Sequence, residues 1–164
     1  MAWKIQVNAI ETMDNVMKRG IPIASRCCLC KDAAENRDHL LWQCSKTEQI
    51  WSWMCAKFNT QFDFTCIEDA MKKMKQRSKL IKDIWNSAVI ATIVAIWKLR
   101  NKITHEEKDL NAKFCEKMIE NQVKVTARLS KATGYNNLEK LKITREWQIT
   151  TSSTNHPTML LEAP

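Results

Sequence analysis

Residues 88–97 read AVIATIVAIW and contain no charged side chain. Outward from this stretch, Ile81, Trp85 and Leu99 continue a helical spacing, so the sequence predicts a helix over about residues 79–104 that is apolar almost all round. A helix of this kind lies at the centre of a helical bundle. The apolar run has about half the length that a bilayer requires, so we expect a buried helix and no membrane span.

Glycine and proline are scarce, with 2 and 3 residues in a chain of 164. A β-sandwich or barrel requires turn residues at short intervals, so that class is excluded. Glycine-rich loops that bind phosphate are excluded for the same reason. We therefore predict an all-α fold.

Apolar residues at helical spacing predict a helix on each side of a polar loop. The first helix runs from Trp3 to Arg19 and ends before Gly20. The second covers about residues 46–58, behind an S-x-x-E capping pattern that begins at Ser45. Residues 21–38 between them have no apolar period, so something other than a hydrophobic core must hold this loop.

The segments after the second helix are assigned from the residues that begin and end helices and from their composition. The central helix either continues from the residues before it or is separated from them by a break near Ser78. A last helix is predicted from an N-cap at Asp109 to a stop at Gly134. From Leu138 the chain is polar and rich in Ser and Thr, so we expect a disordered C-terminal linker over residues 136–164.

Four of the seven cysteines lie within 18 residues, beside one histidine. Cys27, Cys30, His39 and Cys44 have the spacing C-x2-C-x8-H-x4-C. Zinc takes four such ligands at tetrahedral corners, so we predict a structural Zn²⁺ site near the N-terminus, without an open position for catalysis. Because Cys28 follows Cys27 directly, the spacing leaves open which of the two is the first ligand.

The cysteines also indicate the compartment. Their odd number and the absence of an uninterrupted apolar leader predict an intracellular protein of the nucleus or cytoplasm that is not secreted. The other three cysteines fall within or beside helical apolar patterns, and we interpret them as small hydrophobic residues. They are Cys55, Cys66 and Cys115.

The stretch from Trp3 to Phe58 resembles the zinc-binding domain that follows the reverse transcriptase in plant LINE-type (non-LTR) retroelements. The resemblance rests on NVMKRGIPI, C-x2-C, an acidic loop, H-L-L-W-x-C, and Trp51 seven residues after Cys44. Residues 97–101, WKLRN, resemble the W-x-x-R-N helix seen downstream of that domain, before a ribonuclease H domain. The doubled cysteine departs from the family pattern. The resemblance implies a piece of a polyprotein, or a degenerate or domesticated copy of it, with polymerase or ribonuclease H domains as neighbours.

The sequence favours a protein without enzymatic activity. No Asp-Asp pair or carboxylate cluster that could hold catalytic metal ions is present, and His105 and His156 have no catalytic partner in the pattern. We divide the chain into a zinc-binding domain over residues 1–60, a helical region over 61–135 and a linker over 136–164.

The formal net charge is +8, and residues 61–102 carry 9 basic and 4 acidic side chains, a net +5. This excess favours RNA or DNA as a partner, bound through phosphates. The candidate contacts are Arg26, Lys31 and Arg37 beside the zinc ligands, and Lys72, Lys73, Lys75, Arg77, Lys79 and Lys82, here called the basic run. A solvated helix face explains the basic run equally well. We expect core packing rather than base stacking for Trp42, Trp51 and Trp53.

The leading function is therefore a non-catalytic, zinc-stabilised nucleic-acid-binding module derived from a retroelement polyprotein. One alternative is a protein-interaction or scaffolding module whose central helix packs against a neighbouring domain. An inactive remnant is the third interpretation.

Overall fold

The computed structural model describes residues 2–106, 111–130 and 138–149 of the chain. Within these ranges the fold is helical and contains no β-strand, which confirms the all-α prediction. The elements in chain order are α1 (Ala2–Gln6), α2 (Met13–Lys18), a π-helical turn (His39–Gln43), α3 (Ser45–Ala56), α4 (Ile67–Lys72), α5 (Lys79–Glu106), α6 (Ala112–Leu129) and α7 (Leu138–Glu146).

Helix α5 is the centre of the bundle, as its apolar sequence predicts. Over its 28 residues it buries side chains around most of its circumference, and α6 packs along it. This helix is long and apolar enough to cross a membrane. However, 61% of its apolar 18-residue segment is buried inside the protein, as in the core helix of a bundle. The chain does break near Ser78, because α4 ends at Lys72 and α5 begins at Lys79.

The single N-terminal helix predicted from Trp3 to Arg19 is wrong. Helices α1 and α2 are separated by an irregular segment in which Asn8 adopts a left-handed φ of +54°. The side-chain amide of Asn15 donates hydrogen bonds to the carbonyl oxygens of Asn8, at 3.1 Å, and Ile10, at 2.8 Å. These bonds satisfy backbone acceptors that would otherwise bond within a continuous helix.

The break also changes which apolar side chains are buried. Ile5 and Ile10 lie in the core, whereas Trp3, Val7 and Met17 are exposed. The buried face of the N-terminal segment is therefore not the face that a single continuous helix would present.

Helix α3 confirms the predicted second helix but not its cap. The N-cap is Cys44, one residue before Ser45, and no side chain caps the helix. Cys44 has extended backbone, so Ser45 already lies within the helix and the S-x-x-E pattern is not used. Trp51 of this helix is fully buried, and its ring stacks on that of Trp42 with centroids 5.0 Å apart, as expected for core residues.

Helix α6 is shorter than the predicted helix. Its N-cap is Asn111, whose side-chain oxygen accepts a hydrogen bond from the backbone N–H of Lys113 at 3.1 Å. The predicted N-cap, Asp109, and the predicted stop, Gly134, lie outside the described residues.

The predicted disordered linker over residues 136–164 is wrong in its first part. Helix α7 forms there, and it is followed by Trp147, of which 1% is exposed. The Trp147 ring contacts Phe58 and Trp53, with centroids 5.2 and 5.9 Å apart. Together with Ile143 of α7, which is also 1% exposed, Trp147 therefore anchors a segment that is otherwise polar. Residues 150–164 lie outside the described part of the chain.

One hydrophobic core runs from Ile5 in α1 to Trp147 after α7. The division of the chain at residues 60 and 135 stays a prediction.

Candidate metal centre

Two of the predicted ligands lie on a tight turn between α2 and the π-helical turn. The backbone N–H of Lys31 donates to the carbonyl oxygen of Cys27 at 2.9 Å, and Lys31 adopts a left-handed φ of +61°. The N–H of Cys27 donates to the carbonyl of Ala33 at 2.8 Å and so closes the turn. With two residues between them, Cys27 and Cys30 direct both sulfur atoms to the same side.

The other two ligands lie at the two ends of the π-helical turn. The backbone N–H of His39 donates to the side-chain oxygen of Asn36 at 2.8 Å, which fixes the start of the turn. The N–H of Cys44 donates to the carbonyl of His39 at 2.8 Å, so the two ligands are joined through the backbone.

The four ligand atoms converge. The sulfur atoms of Cys27, Cys30 and Cys44 and a ring nitrogen of His39 all lie within 4.8 Å of one another. The Cys27 and Cys44 sulfur atoms are 3.9 Å apart, and the Cys30 sulfur lies 3.3 Å from His39 Nε2. The edges of a tetrahedral zinc site are about 3.8 Å between sulfur atoms and about 3.5 Å between sulfur and nitrogen. The cluster therefore has the size and donor chemistry that zinc requires.

Cys28 is turned away from this cluster. Its sulfur lies 3.9 Å from the carbonyl oxygen of Arg100 in α5. Burial raises the pKa of the Cys28 thiol. Of the two alternatives that the sequence left open, the geometry selects Cys27 as the first member of the cluster.

The surroundings of Cys44 lower the pKa of its thiol. The hydrogen bond from the Cys27 thiol is the main cause that lowers the pKa of Cys44 to about 5. Hydrogen bonds from the backbone N–H groups of Lys46 and Thr47, at the N-terminus of α3, act in the same direction. The pKa of Cys27 is raised by its hydrogen bond with Cys44 and by burial.

The family comparison agrees with this geometry. Residues 1–51 match the model of a family described as zinc-binding in reverse transcriptase. The match contains all four clustered residues and ends within α3. A search of the curated proteins found no match, and a search of the solved structures found none either.

One residue of the segment that holds the cluster was not predicted from the sequence. Glu35 is fully buried, and its carboxylate accepts hydrogen bonds from Arg100 Nε at 3.1 Å and from a terminal guanidinium nitrogen at 2.7 Å. A usable signal was present, because Arg100 is a charged residue among the apolar residues of α5 and must have a partner when buried.

The cationic candidates beside the cluster lie on or next to the loop. Arg26 is exposed and donates from Nε to the carbonyl oxygen of Lys31 at 2.7 Å. The Lys31 side chain is exposed, whereas Arg37 is half-buried and pairs with Asp38 at 2.8 Å. Two of the three predicted positions, Arg26 and Lys31, therefore present cations to solvent on the loop.

The basic run is partly neutralised within the fold. Lys75 and Lys79 are exposed, and Lys82 is half-buried. The other three members pair with carboxylates: Lys72 with Asp69 at 3.5 Å, Lys73 with Asp63 at 2.5 Å, and Arg77 with Glu139 at 2.6 Å.

The remaining cysteines are separate from the cluster. Cys55 and Cys115 are fully buried, and burial raises the pKa of each thiol to about 12. This confirms their interpretation as small hydrophobic residues. Cys66 is half-buried and lies at the N-cap of α4.

Proposed function

We propose that this chain is a non-catalytic, zinc-stabilised nucleic-acid-binding module derived from a retroelement reverse transcriptase polyprotein. The observation that supports it most is the convergence of four ligand atoms within 4.8 Å, in a segment that matches a reverse transcriptase zinc-binding family. Cys27, Cys30, His39 and Cys44 would hold the ion. Four protein ligands complete a tetrahedral shell, so the zinc would stabilise the fold and would not activate water.

The origin of the module is part of the proposal. The WKLRN sequence at residues 97–101 supports a LINE-type element of a plant, with a ribonuclease H domain as neighbour. A polypeptide of this kind functions inside the cell, in the nucleus or cytoplasm.

Exposed cations support nucleic acid as the partner. Arg26 and Lys31 extend from the zinc-binding loop. Lys75 and Lys79 of the basic run are exposed and have no carboxylate partner among the described residues. Ammonium and guanidinium groups on a protein of net charge +8 bind phosphates without reading the base sequence.

Native mass spectrometry tests the metal. We expect one zinc ion in the wild-type protein and none in Cys30→Ser. Cys28→Ser is the matched control: Cys28 lies outside the ligand cluster, and serine keeps a donor toward the Arg100 carbonyl oxygen, so we expect this variant to retain zinc. A wild-type protein without zinc, or retention of zinc in Cys30→Ser, would contradict the assignment.

Fluorescence anisotropy with a single-stranded RNA, over salt concentrations from about 50 to about 200 mM, tests the partner. The variant Lys75→Gln/Lys79→Gln loses two phosphate contacts. The slope of the logarithm of its association constant against the logarithm of the salt concentration should therefore be reduced by about 1.4. The control is Lys113→Gln/Lys117→Gln, which removes two exposed lysines of α6 and so lowers the net charge equally. No binding at low salt, or equal weakening by both pairs, would contradict the proposal. Duplex DNA in a parallel titration distinguishes the two nucleic acids.

One observation favours the alternative of a protein-interaction module. A groove of about 370 Å³ lies between α5 and α6, lined among others by Ile90, Val94 and Met118. Ile90 is 41% exposed in this groove. If the protein does not bind RNA, or if salt does not weaken the binding, a protein-interaction module is the better explanation.

A further inference from the structure

We propose that Trp97, Arg100 and Asn101 of α5 form a receptor for Glu35, and that this contact positions the zinc-binding loop and sets its affinity for zinc. The inference rests on the proposed zinc binding. It assigns a role to residues of α5 that lie beyond the segment matched by the zinc-binding family.

The contact is a buried, multiply bonded ion pair. The side chains of Arg100 and Glu35 are 3% and 0% exposed. Nε of Arg100 lies 3.1 and 3.3 Å from the two carboxylate oxygens, and a terminal nitrogen lies 2.7 Å from one of them. Such paired N–H donors hold a carboxylate in one orientation, which a single lysine ammonium does not.

The other two residues of the receptor fix the guanidinium. The Arg100 Cζ lies 5.2 Å from the centre of the Trp97 ring. The second terminal nitrogen of Arg100 donates to the side-chain oxygen of Asn101 at 3.1 Å. The Trp and the Asn of the W-x-x-R-N pattern therefore both contact the guanidinium of its Arg, which binds Glu35. The pattern has a direct structural role here.

Glu35 in turn joins the parts of the loop. Its carboxylate accepts a hydrogen bond from the backbone N–H of Met13 at 3.1 Å, at the start of α2. Its own backbone N–H donates to the Ser25 hydroxyl at 3.1 Å, two residues before Cys27. The loop from Ser25 to Glu35 is thus closed at its base and attached to α2 and α5 by bonds that do not involve the metal ligands.

Cys28 provides a second attachment to the same residue. Its sulfur faces the Arg100 carbonyl oxygen at 3.9 Å, directly beside the ligand Cys27. Arg100 therefore contacts the loop on both sides of its turn, through its side chain at Glu35 and its main chain at Cys28.

These contacts lower the entropic cost of metal binding. A loop that is already ordered loses less conformational freedom when zinc binds, so the affinity for zinc rises. Linkage is reciprocal, so bound zinc must stabilise the Glu35–Arg100 contact by the same factor. The sequence predicts that the loop is held by something other than a hydrophobic core, and the structure provides this buried ion pair in addition to the ligand cluster.

The test is the zinc dissociation constant, measured by competition with a chelator of known affinity. We expect Arg100→Met and Glu35→Gln each to weaken zinc binding by about 10- to 100-fold, as removal of groups that support metal ligands does. The double variant should bind zinc no more weakly than the single variant with the lower affinity, because both substitutions remove the same contact. Arg100→Lys keeps the charge without the paired donors, so its zinc dissociation constant should lie between those of wild type and Arg100→Met.

Two controls separate positioning from loss of stability. Ile119→Ala removes a fully buried side chain of α6 that packs on α5, so it should destabilise the fold and leave the zinc dissociation constant unchanged. The Co²⁺ charge-transfer spectrum should retain the Cys3His signature in every variant that binds metal, since no ligand is altered. If Arg100→Met fails to fold, the zinc dissociation constants of Arg100→Lys and Glu35→Asp are compared with that of wild type instead.

The outcomes are distinct from those for the proposed function. A wild-type protein that binds no zinc contradicts the function. A wild-type protein that binds zinc, with variants at Glu35 and Arg100 within about twofold of its affinity, overturns this inference alone. Equal weakening by Ile119→Ala also overturns it.

Discussion

Trp147 should be one of the strongest single contributors to stability, although it lies in a polar segment. Its side chain is 1% exposed and packs against Phe58 and Trp53. A buried tryptophan removes about 200 Å² from water, which is equivalent to about 5 kcal/mol at about 25 cal/mol per Å². Its indole Nε1 has no hydrogen-bond partner among the described residues, which costs about 1 to 3 kcal/mol. Trp147→Ala removes both contributions, so we expect a net loss of about 2 to 4 kcal/mol in the free energy of unfolding.

Trp147→Phe separates the two contributions. The phenyl ring keeps most of the packing against Phe58 and abolishes the unpaired N–H, so we expect a stability within about 1 kcal/mol of wild type. Urea unfolding followed by far-ultraviolet circular dichroism measures both variants without relying on tryptophan fluorescence. A loss below about 0.5 kcal/mol for Trp147→Ala, the size expected of a surface substitution, would refute the docking of α7.

Further predictions concern two buried thiols and two turn residues. Folded Cys55 and Cys115 ionise only near pH 12 whereas the usual pKa is 9.0, so their contribution to stability is complete below pH 9.0 and is lost as the pH rises toward 12. The free energy of unfolding, measured with urea between about pH 8 and 10.5, should fall by about 1.4 kcal/mol per pH unit for each thiol above pH 9, and Cys55→Ala/Cys115→Ala should remove this part of the slope. Gly20 has a φ of +84° with open space around it, so Gly20→Ala should cost about 1 kcal/mol by backbone strain alone in urea unfolding, and Gly20→Asn less. Asn15→Ala removes the bonds to the carbonyls of Asn8 and Ile10, and should lower the free energy of unfolding by about 1 to 2 kcal/mol; an unchanged urea midpoint would contradict this.

The features that could be predicted from the sequence are local or strongly periodic. The ligand set from Cys27 to Cys44 spans 18 residues, and its spacing alone carries the chemistry of a tetrahedral site. Helix α5 was predicted to within two residues of its end because its apolar pattern extends over many turns.

The features that were missed depend on single polar or aromatic side chains. The N-terminal break depends on the amide of Asn15, which competes with the helix for backbone acceptors. Helix α7 has a polar average composition, and its docking depends on isolated apolar side chains, Ile143 and the larger Trp147. The partner of Arg100 lies 65 residues away in the sequence, and no local pattern specifies a contact at that distance.

The distance between Glu35 and Arg100 also orders the events of biosynthesis. Translation completes the ligand set at Cys44, and Arg100 follows 56 residues later. With zinc bound as proposed, a nascent chain would capture the ion at a time when its loop is still without the partner on α5. The metal would then hold the loop in shape until the long helix emerges, so an ion bound early in synthesis would guide the docking of the loop on α5.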